Sequence, residues 1–378
     1  MSTTGSFVER PIRVALVTNI PAPYRVPVYE RLAHTPGCDL HMIFCSGSEP
    51  DRHWQVKPGD YRSTALRERF VTFKGRFIHV NPDVWSVLQA SDPDVVITTG
   101  YNPTHLIAFA WAVWRGRAHV VMTDGTLRSE ATLSGAHRFL RRRVFARSQA
   151  FVGPSEGAMD LFRSYGVPAD RLFKSHLCAD NDAFLSLPDG PRPLDLLFCG
   201  RLVAVKNPLF ALDVARRISG LLGRRVSLGY LGSGEMESQV REAAARVTEQ
   251  VDVTFMGFAQ PAELPQRYAQ ARLFLFPTSW DPWGVVANEA CAAGVPVLVT
   301  QHAGAVGDLV IDGVNGLVLP LDADAWARAG AHLLNDPVEW ARLSAAARER
   351  VKGFSHDAAA QGLWQAVQRA MADRKEQA

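Results

Sequence analysis

The strongest constraint on this chain is an alternation that runs through it twice. RVALVTNI (13–20), LHMIFCSG (40–47), DVVITTG (94–100), AHVVMTDG (118–125) and AFVGPS (150–155) are short, continuous apolar runs rich in Val and Ile. Between them lie stretches of helical period over 83–91, 103–115, 134–147 and 155–165. A strand that is apolar on both sides must be covered on both sides, as in a parallel sheet layered between helices. The alternation therefore predicts a doubly wound α/β layer. It pauses at SLPDGPRP (186–193), which is polar and proline-rich in the manner of a linker, and then restarts. Strands are expected at 194–200, 226–232, 253–258, 273–278, 295–300 and 316–320. Helices are expected at 208–222, 235–248, 261–271, 285–293 and 323–335, and the tail from 337 to 373 reads as two more, divided near KGFSHD (352–357).

Two α/β domains in tandem suit 378 residues, more than one compact core usually serves. With 47% apolar and 21% charged residues, the chain is globular in composition, and a formal charge of +3 gives no reason to expect a nucleic-acid partner. Cys38, Cys45, Cys178, Cys199 and Cys291 are scattered without CxxC spacing, the pattern of buried thiols in a reducing compartment. MSTTGSFVERPIR lacks the apolar core of a signal peptide, and no window approaches the roughly twenty apolar residues of a membrane-spanning helix. The expectation is a cytoplasmic protein, with peripheral contact at the inner face of a membrane left open.

In open α/β sheets, ligands gather beyond the carboxyl ends of the strands. GRLVAVKNP (200–208) follows one expected strand and carries Arg201 and Lys206, two cations beside a glycine, which suits a diphosphate. Two solvated loop charges are the plainer alternative. GSGE (232–235) follows the next strand, but Glu237 stands where a dinucleotide fingerprint needs glycine. A tight turn with Ser233 capping a helix explains it as well. In SWDPWGVVANEACAAGVPV (279–297), Asp281 precedes a short helix and Glu289 lies within it among small apolar residues. The N–H groups of 284–286 would be free at the helix start to hold an anion. A carboxylate buried in such a helix needs polar partners, and ribose hydroxyls would supply them.

GRLVAVKNP, GSGE, DPWGVVANEACAAGVPV and HAGAVGDLVIDGVNGLVL (302–319) together resemble, in order and spacing, the motifs of the family 4 glycosyltransferases, including their E-x7-E element. The resemblance spans 194–320. It implies a GT-B fold: two Rossmann-like α/β domains facing each other across a cleft, an acceptor domain over 1–187, a donor domain over 188–355, and a C-terminal helix over 356–378 returning to the N-terminal domain. It further implies retaining, metal-independent transfer from a nucleotide-diphosphate sugar to a glycan or lipid-linked acceptor in bacterial polysaccharide or glycoconjugate synthesis, with no cofactor. By position, Arg201 and Lys206 would bind the diphosphate, Glu289 the ribose, and the backbone of Trp283, Gly284, Val285 and Val286 the distal phosphate and sugar. Asp281, where the family has glutamate, would reach the sugar. The base would lie near Gly257 and Phe258. Trp283 replaces the usual phenylalanine at the sugar pocket, and Asp308 stands where the downstream segment usually has glutamate. An epimerase of the same fold and a non-catalytic nucleotide-sugar-binding protein are the alternative functions.

The likeness is fainter in the first half, where NIPAPYR (19–25) resembles an acceptor-side loop and offers Asn19, Tyr24 and Arg25. Asp124, at the strand end MTDGTLRSE, is the candidate on the catalytic face, with His105 second. RFLRRRVFAR (138–147) carries Arg138, Arg141, Arg142, Arg143 and Arg147 among apolar residues. It reads either as a helix resting on anionic lipid or as a surface helix that packs Phe139, Leu140 and Val144 on the sheet.

Overall fold

The computed structural model describes residues 10–48, 59–73, 76–188 and 190–377. Residues 1–9 of the N-terminal segment read above, and Asp189 of the proline-rich stretch, lie outside them. The chain forms two compact units, one of residues 1–176 with 356–378 and one of residues 177–355.

The first unit holds strands β1 (Ile12–Thr18), β2 (Cys38–Phe44), β3 (Arg62–Ala65), a hairpin of β4 (Phe70–Phe73) and β5 (Arg76–His79), then β6 (Val95–Thr98), β7 (Ala118–Met122), β8 (Ala150–Gly153) and β9 (Leu172–Lys174). Its main sheet has the order β3-β2-β1-β6-β7-β8-β9, with every pairing parallel. Helices α1 (Val26–Ala33), α2 (Val84–Ser91), α3 (Pro103–Trp114), α4 (Leu127–Ala131), α5 (Gly135–Phe145) and α6 (Glu156–Ser164) connect the strands. The expected strands and long helices are all present. The shorter elements α1, α4, β3, β4, β5 and β9 escape the sequence pattern. α1 follows directly on the loop read as an acceptor segment, with Arg25 as its N-cap and Pro27 in its first turn, and β3 is a polar edge strand, RSTA, with no apolar alternation to betray it.

The second unit begins with α7 (Asn181–Leu185) and carries β10 (Leu194–Cys199), β11 (Val226–Leu231), β12 (Val251–Gly257), β13 (Ala271–Phe276), β14 (Val297–Thr300) and β15 (Gly316–Leu319). Its helices are α8 (Pro208–Leu222), α9 (Glu237–Ala245), α10 (Leu264–Ala269), α11 (Val285–Ala292), α12 (Ala323–Asn335) and α13 (Pro337–Val351). The sheet order β12-β11-β10-β13-β14-β15 is parallel throughout. The units divide between residues 176 and 177, ahead of 186–193 where composition places the linker. α7 accounts for the difference. Phe184 packs edge-on against Tyr268 at 5.8 Å, and Asn181 Nδ2 donates to Val351 O at 2.9 Å, so this short helix is committed to the second core before the prolines arrive.

The last helix, α14 (His356–Gln377), is counted with the first unit, where it packs on α1 and on β7 to β9. Gly362 makes this docking close: a Cβ there would lie 1.8 Å from the carbonyl oxygen of Lys174 on β9.

Candidate functional site

In the second unit, β10, β11 and β12 step to one side of the sheet and β13, β14 and β15 to the other, so the connectivity reverses between β10 and β13. Loops leaving neighbouring strands part at such a point and open a crevice. The β10 loop is held from behind. A Cβ on Gly232 would lie 2.1 Å from Gly200 O, and one on Gly234 2.4 Å from Leu202 O, so only glycines let these loops meet. The contact is sealed by Leu202 N–H to Ser233 O and Met236 N–H to Leu202 O, each 2.9 Å. GSG is thus a backbone clamp, and α9 is capped by Met236 rather than by Ser233. Gly232 also has φ of +131°. Gly232→Ala is expected to cost about 3 kcal/mol or more, seen as a melting temperature lower by roughly 10 °C.

Within this loop the chain makes a short 3-10 turn over Ala204–Lys206, and Asn207 takes a left-handed conformation with φ of +53°. Asn207 Nδ2 donates to Pro277 O at 2.7 Å, and Ser279 N–H to Val205 O at 2.8 Å, fastening the β10 loop to the β13 loop. Lys206 is thereby set beside Asp281, and its ammonium forms an ion pair with Asp281 Oδ2 while lying 5.6 Å from the centre of the Phe276 ring. Asp281 Oδ1 accepts from the Trp283 N–H at 3.1 Å. Arg201, on the same loop, is exposed and has no ion-pair partner among the described residues.

The β13 loop is braced in turn by the loop after β14. Asp281 N–H donates to His302 O at 3.2 Å, Gly304 N–H to Asp281 O and Ala305 N–H to Trp283 O, both at 2.9 Å. A Cβ on Gly304 would fall 2.0 Å from Pro282 O, so the two loops run in backbone contact. Gly284 then turns with φ of +95° against the Phe276 ring, 2.4 Å from where its Cβ would be, and α11 begins. The first N–H groups of a helix have no partner within it, so those of Val285 and Val286 lie at the positive end of α11 without an intrahelical acceptor.

The structure adds contacts within the protein to three of these sequence readings. Trp283 does not line a pocket: its side chain is fully buried, donating from Nε1 to Asn288 Oδ1 at 2.8 Å and packing 5.8 Å from the Phe354 ring. Its N–H is also already taken by Asp281. Asp281 and Lys206, assigned to different ends of a donor, hold each other in this structure. Finally, Glu289 is not without a protein partner, since Tyr268 donates its hydroxyl to Oε2 at 2.6 Å. Glu289 keeps 9% of its surface accessible. Burial pushes it up to about 7, and burial also pushes the neighbouring Tyr268 hydroxyl and Cys199 thiol up. Neither Tyr268 nor Cys199 was legible as a site residue, because they come from α10 and β10 and meet Glu289 only through the fold. Gly257, with φ of +68°, ends β12, and its carbonyl receives the Gly232 N–H at 2.8 Å; Phe258 beyond it is 46% exposed. Asp308 is buried, and its carbonyl accepts from the Arg350 guanidinium.

Two family models cover most of the sequence: one described as a glycosyl transferase 4-like domain matches residues 7–173, and one described as glycosyl transferases group 1 matches 186–350. The chain belongs to the family 4 glycosyltransferases. Among curated relatives it is 32% identical over 163 residues to a glycogen synthase of Mycobacterium tuberculosis, a match covering 42% of this chain and 38% of that one. It is 32% identical over 245 residues to a D-inositol 3-phosphate glycosyltransferase of Xylanimonas cellulosilytica, covering 58% of this chain and 57% of the other. The similarity thus spans about half or less of these relatives' lengths. Solved structures agree over nearly the whole chain. The Anabaena protein HepE in complex with UDP and glucose superposes with a TM-score of 0.73 at 16% identity, covering 94% of this chain and 99% of that one. A glycosyltransferase from Rickettsia africae gives 0.74 at 14% identity, covering 96% and 99%. These likenesses show the GT-B fold.

In the first unit of this family 4 chain, connectivity reverses between β1 and β6, and the loops there enclose a hollow of about 200 Å³. Asn19, Tyr24, Arg25 and Asp124, all singled out by sequence, line it together. Asn19 Oδ1 accepts from Asn102 Nδ2 at 2.9 Å. Arg25 is only 5% exposed, donating to Ser175 O and to Asp124 Oδ1, each at 3.2 Å. Arg25→Ala strands these acceptors and is expected to destabilise the unit by about 2–3 kcal/mol, read as a lower urea midpoint. His105 lies outside the hollow's lining: it is buried beneath Gly100, with neither ring nitrogen hydrogen-bonded, and burial lowers it to about 3.

On α5 the buried side chains are Val144 and Phe145, whereas Phe139, expected on the sheet, is 58% exposed under the Arg143 guanidinium. Arg141 turns inward to pair with Glu130 and covers the Tyr101 ring at 4.5 Å. Among the described residues no helix is long and apolar enough to cross a membrane, and no group of three His, Cys, Asp or Glu side chains could hold a metal.

Proposed function

We propose that this chain transfers a sugar, with retention of anomeric configuration, from a nucleoside-diphosphate sugar to a hydroxyl of a glycan or lipid-linked acceptor. The observation that carries the reading is the grouping, at one strand-reversal point, of Arg201, Lys206, the α11 N-terminus and the buried carboxylate Glu289. Two cations and free helix N–H groups stabilise a diphosphate both bound and departing, which is where charge develops as the glycosidic bond breaks. A nucleoside diphosphate seated there places its ribose toward Glu289, whose carboxylate accepts from hydroxyls as it now does from Tyr268. Phe258, exposed beyond β12, offers a ring face for the base.

Asp281 is one methylene shorter than the family's glutamate, and its salt link makes it the residue that positions Lys206 until a donor arrives. Arg25 and Asp124 take the acceptor side, with the departing phosphate receiving the acceptor's proton, so that no separate base and no metal is required. The UDP and glucose bound to HepE, and the inositol phosphate and glycogen named for relatives, support a nucleotide-sugar donor and hydroxyl acceptors.

The test is incubation with UDP-, GDP- and ADP-sugars, with and without crude lipid extract. Nucleotide release that needs the acceptor, persists in EDTA and yields a product with the donor's anomeric coupling by NMR supports every part. A protein that binds donors without releasing nucleotide is the non-catalytic alternative, and one that converts the nucleotide sugar into its epimer with no acceptor points to the epimerase class.

A further inference from the structure

On the first unit a second hollow, of about 590 Å³, lies between α5 and the turn that follows α6. The loops that line it, at Ala146 and at Gly166–Arg171, lead into the amino ends of β8 and β9. The Asn19–Asp124 hollow lies past the carboxyl ends of β1 and β7, at the opposite edge of the same parallel sheet. The two hollows are therefore separate sites.

Arg138 and Arg142 stand one helical turn apart and both face this space, with Arg171 on the facing side. Its one carboxylate, Glu130, is 7% exposed and fully engaged: Arg141 pairs with Oε2 and the Tyr165 hydroxyl donates to Oε1. Arg171 is paired with Asp373 at 3.0 Å. Arg138 and Arg142 are exposed and have no carboxylate partner among the described residues, leaving two uncompensated guanidinium groups at the mouth. Phe145, Phe151 and Val167 give the hollow an apolar wall. Two spare guanidiniums above an apolar wall match a dianionic phosphate on a compact organic body, and the volume falls in the range of small-ligand sites.

We propose that this hollow binds a phosphate monoester, either a free sugar phosphate or the headgroup of an anionic lipid. The inference stands whether or not the sugar-transfer reading holds. It is tested on the full chain by calorimetry with glucose 6-phosphate and with glucose, and by co-sedimentation with phosphatidylcholine vesicles with or without phosphatidic acid. The variants are Arg138→Ala/Arg142→Ala and, as a control with the same loss of charge at the end of α5 and just beyond it, Arg143→Ala/Arg147→Ala.

The expected result is saturable binding of glucose 6-phosphate and none of glucose, weakened about tenfold or more in the first variant and unchanged in the second. Sedimentation with phosphatidic acid vesicles that is lost only in the first variant, without a response to glucose 6-phosphate, assigns the same site to a lipid phosphate. No binding of either probe, or equal loss in both variants, overturns the proposal. Matching melting temperatures for the three proteins show that the variants are folded.

Discussion

Lys206→Ala is expected to lower the rate of sugar transfer by roughly a hundred- to a thousandfold, the usual cost of removing one preorganised group that stabilises developing charge. The substitution acts twice. It deletes an ammonium at the strand-reversal point, and it leaves Asp281, whose side chain is only 14% exposed, without its counter-charge beside the place where a diphosphate would bind. UDP affinity should fall with turnover. Lys206→Arg keeps the charge and should retain part of both. Asp281→Asn separates the two effects, since it releases Lys206 from its ion pair: UDP binding should survive, while transfer slows if the carboxylate also meets the sugar. Calorimetry with UDP and a nucleotide-release assay provide the readouts, and a Lys206→Ala protein with wild-type turnover would falsify the diphosphate assignment.

Glu289→Gln should produce opposite changes in stability and binding. Burial raises Glu289 from the ordinary 4.5 to about 7. Between those values the folded chain holds a proton that the unfolded chain has lost, so stability falls as pH rises through this window. Above it the ionised carboxylate costs the fold about 3 kcal/mol. Glutamine is isosteric and can still accept from Tyr268, but it never ionises. The variant should match wild type near pH 4.5 and melt higher at pH 8, by roughly 5–10 °C.

Donor binding should move the other way. If the ionised carboxylate accepts from ribose hydroxyls, wild-type UDP affinity strengthens as pH rises from 6 to 8, whereas the variant is about tenfold weaker at pH 8 and has lost that slope. A variant that binds UDP like wild type at pH 8 removes Glu289 from the donor site. A variant no more stable than wild type at pH 8 shows that the carboxylate is already compensated in the fold. A site that costs stability for the sake of binding is a common arrangement in proteins.

How much of this was legible in the sequence depends on where each signal is stored. α8 and α12 occur over the expected residues 208–222 and 323–335, because amphipathic period, a starting proline or aspartate cap and a following break are all local. The strand runs were equally plain, since burial on both faces leaves an unbroken apolar string. β3, polar and at a sheet edge, left no such mark. Composition marks 186–193 while the units divide between 176 and 177, because nothing within α7 says which core it will join. Trp283 illustrates the same limit at the site: a tryptophan beside a glycine in a loop reads as a ligand contact, yet Asn288 and Phe354 draw it into the core.

By itself the sequence determined the two α/β layers, their strand order of appearance, and the residue types delivered to the carboxyl ends of the strands, since these follow from periodicity and from motif spacing along the chain. Only the tertiary structure decided what those residues meet: Lys206 with Asp281, Glu289 with Tyr268, and Arg25 with Asp124. Each pair joins side chains from different strand or helix ends, and their partnership depends on the parallel register of the sheet. Glycines 232, 234 and 304 belong to both accounts. They stand out in the sequence as turn residues, but their necessity lies in backbones approaching too closely for a side chain, which becomes visible only once the loops are folded against each other.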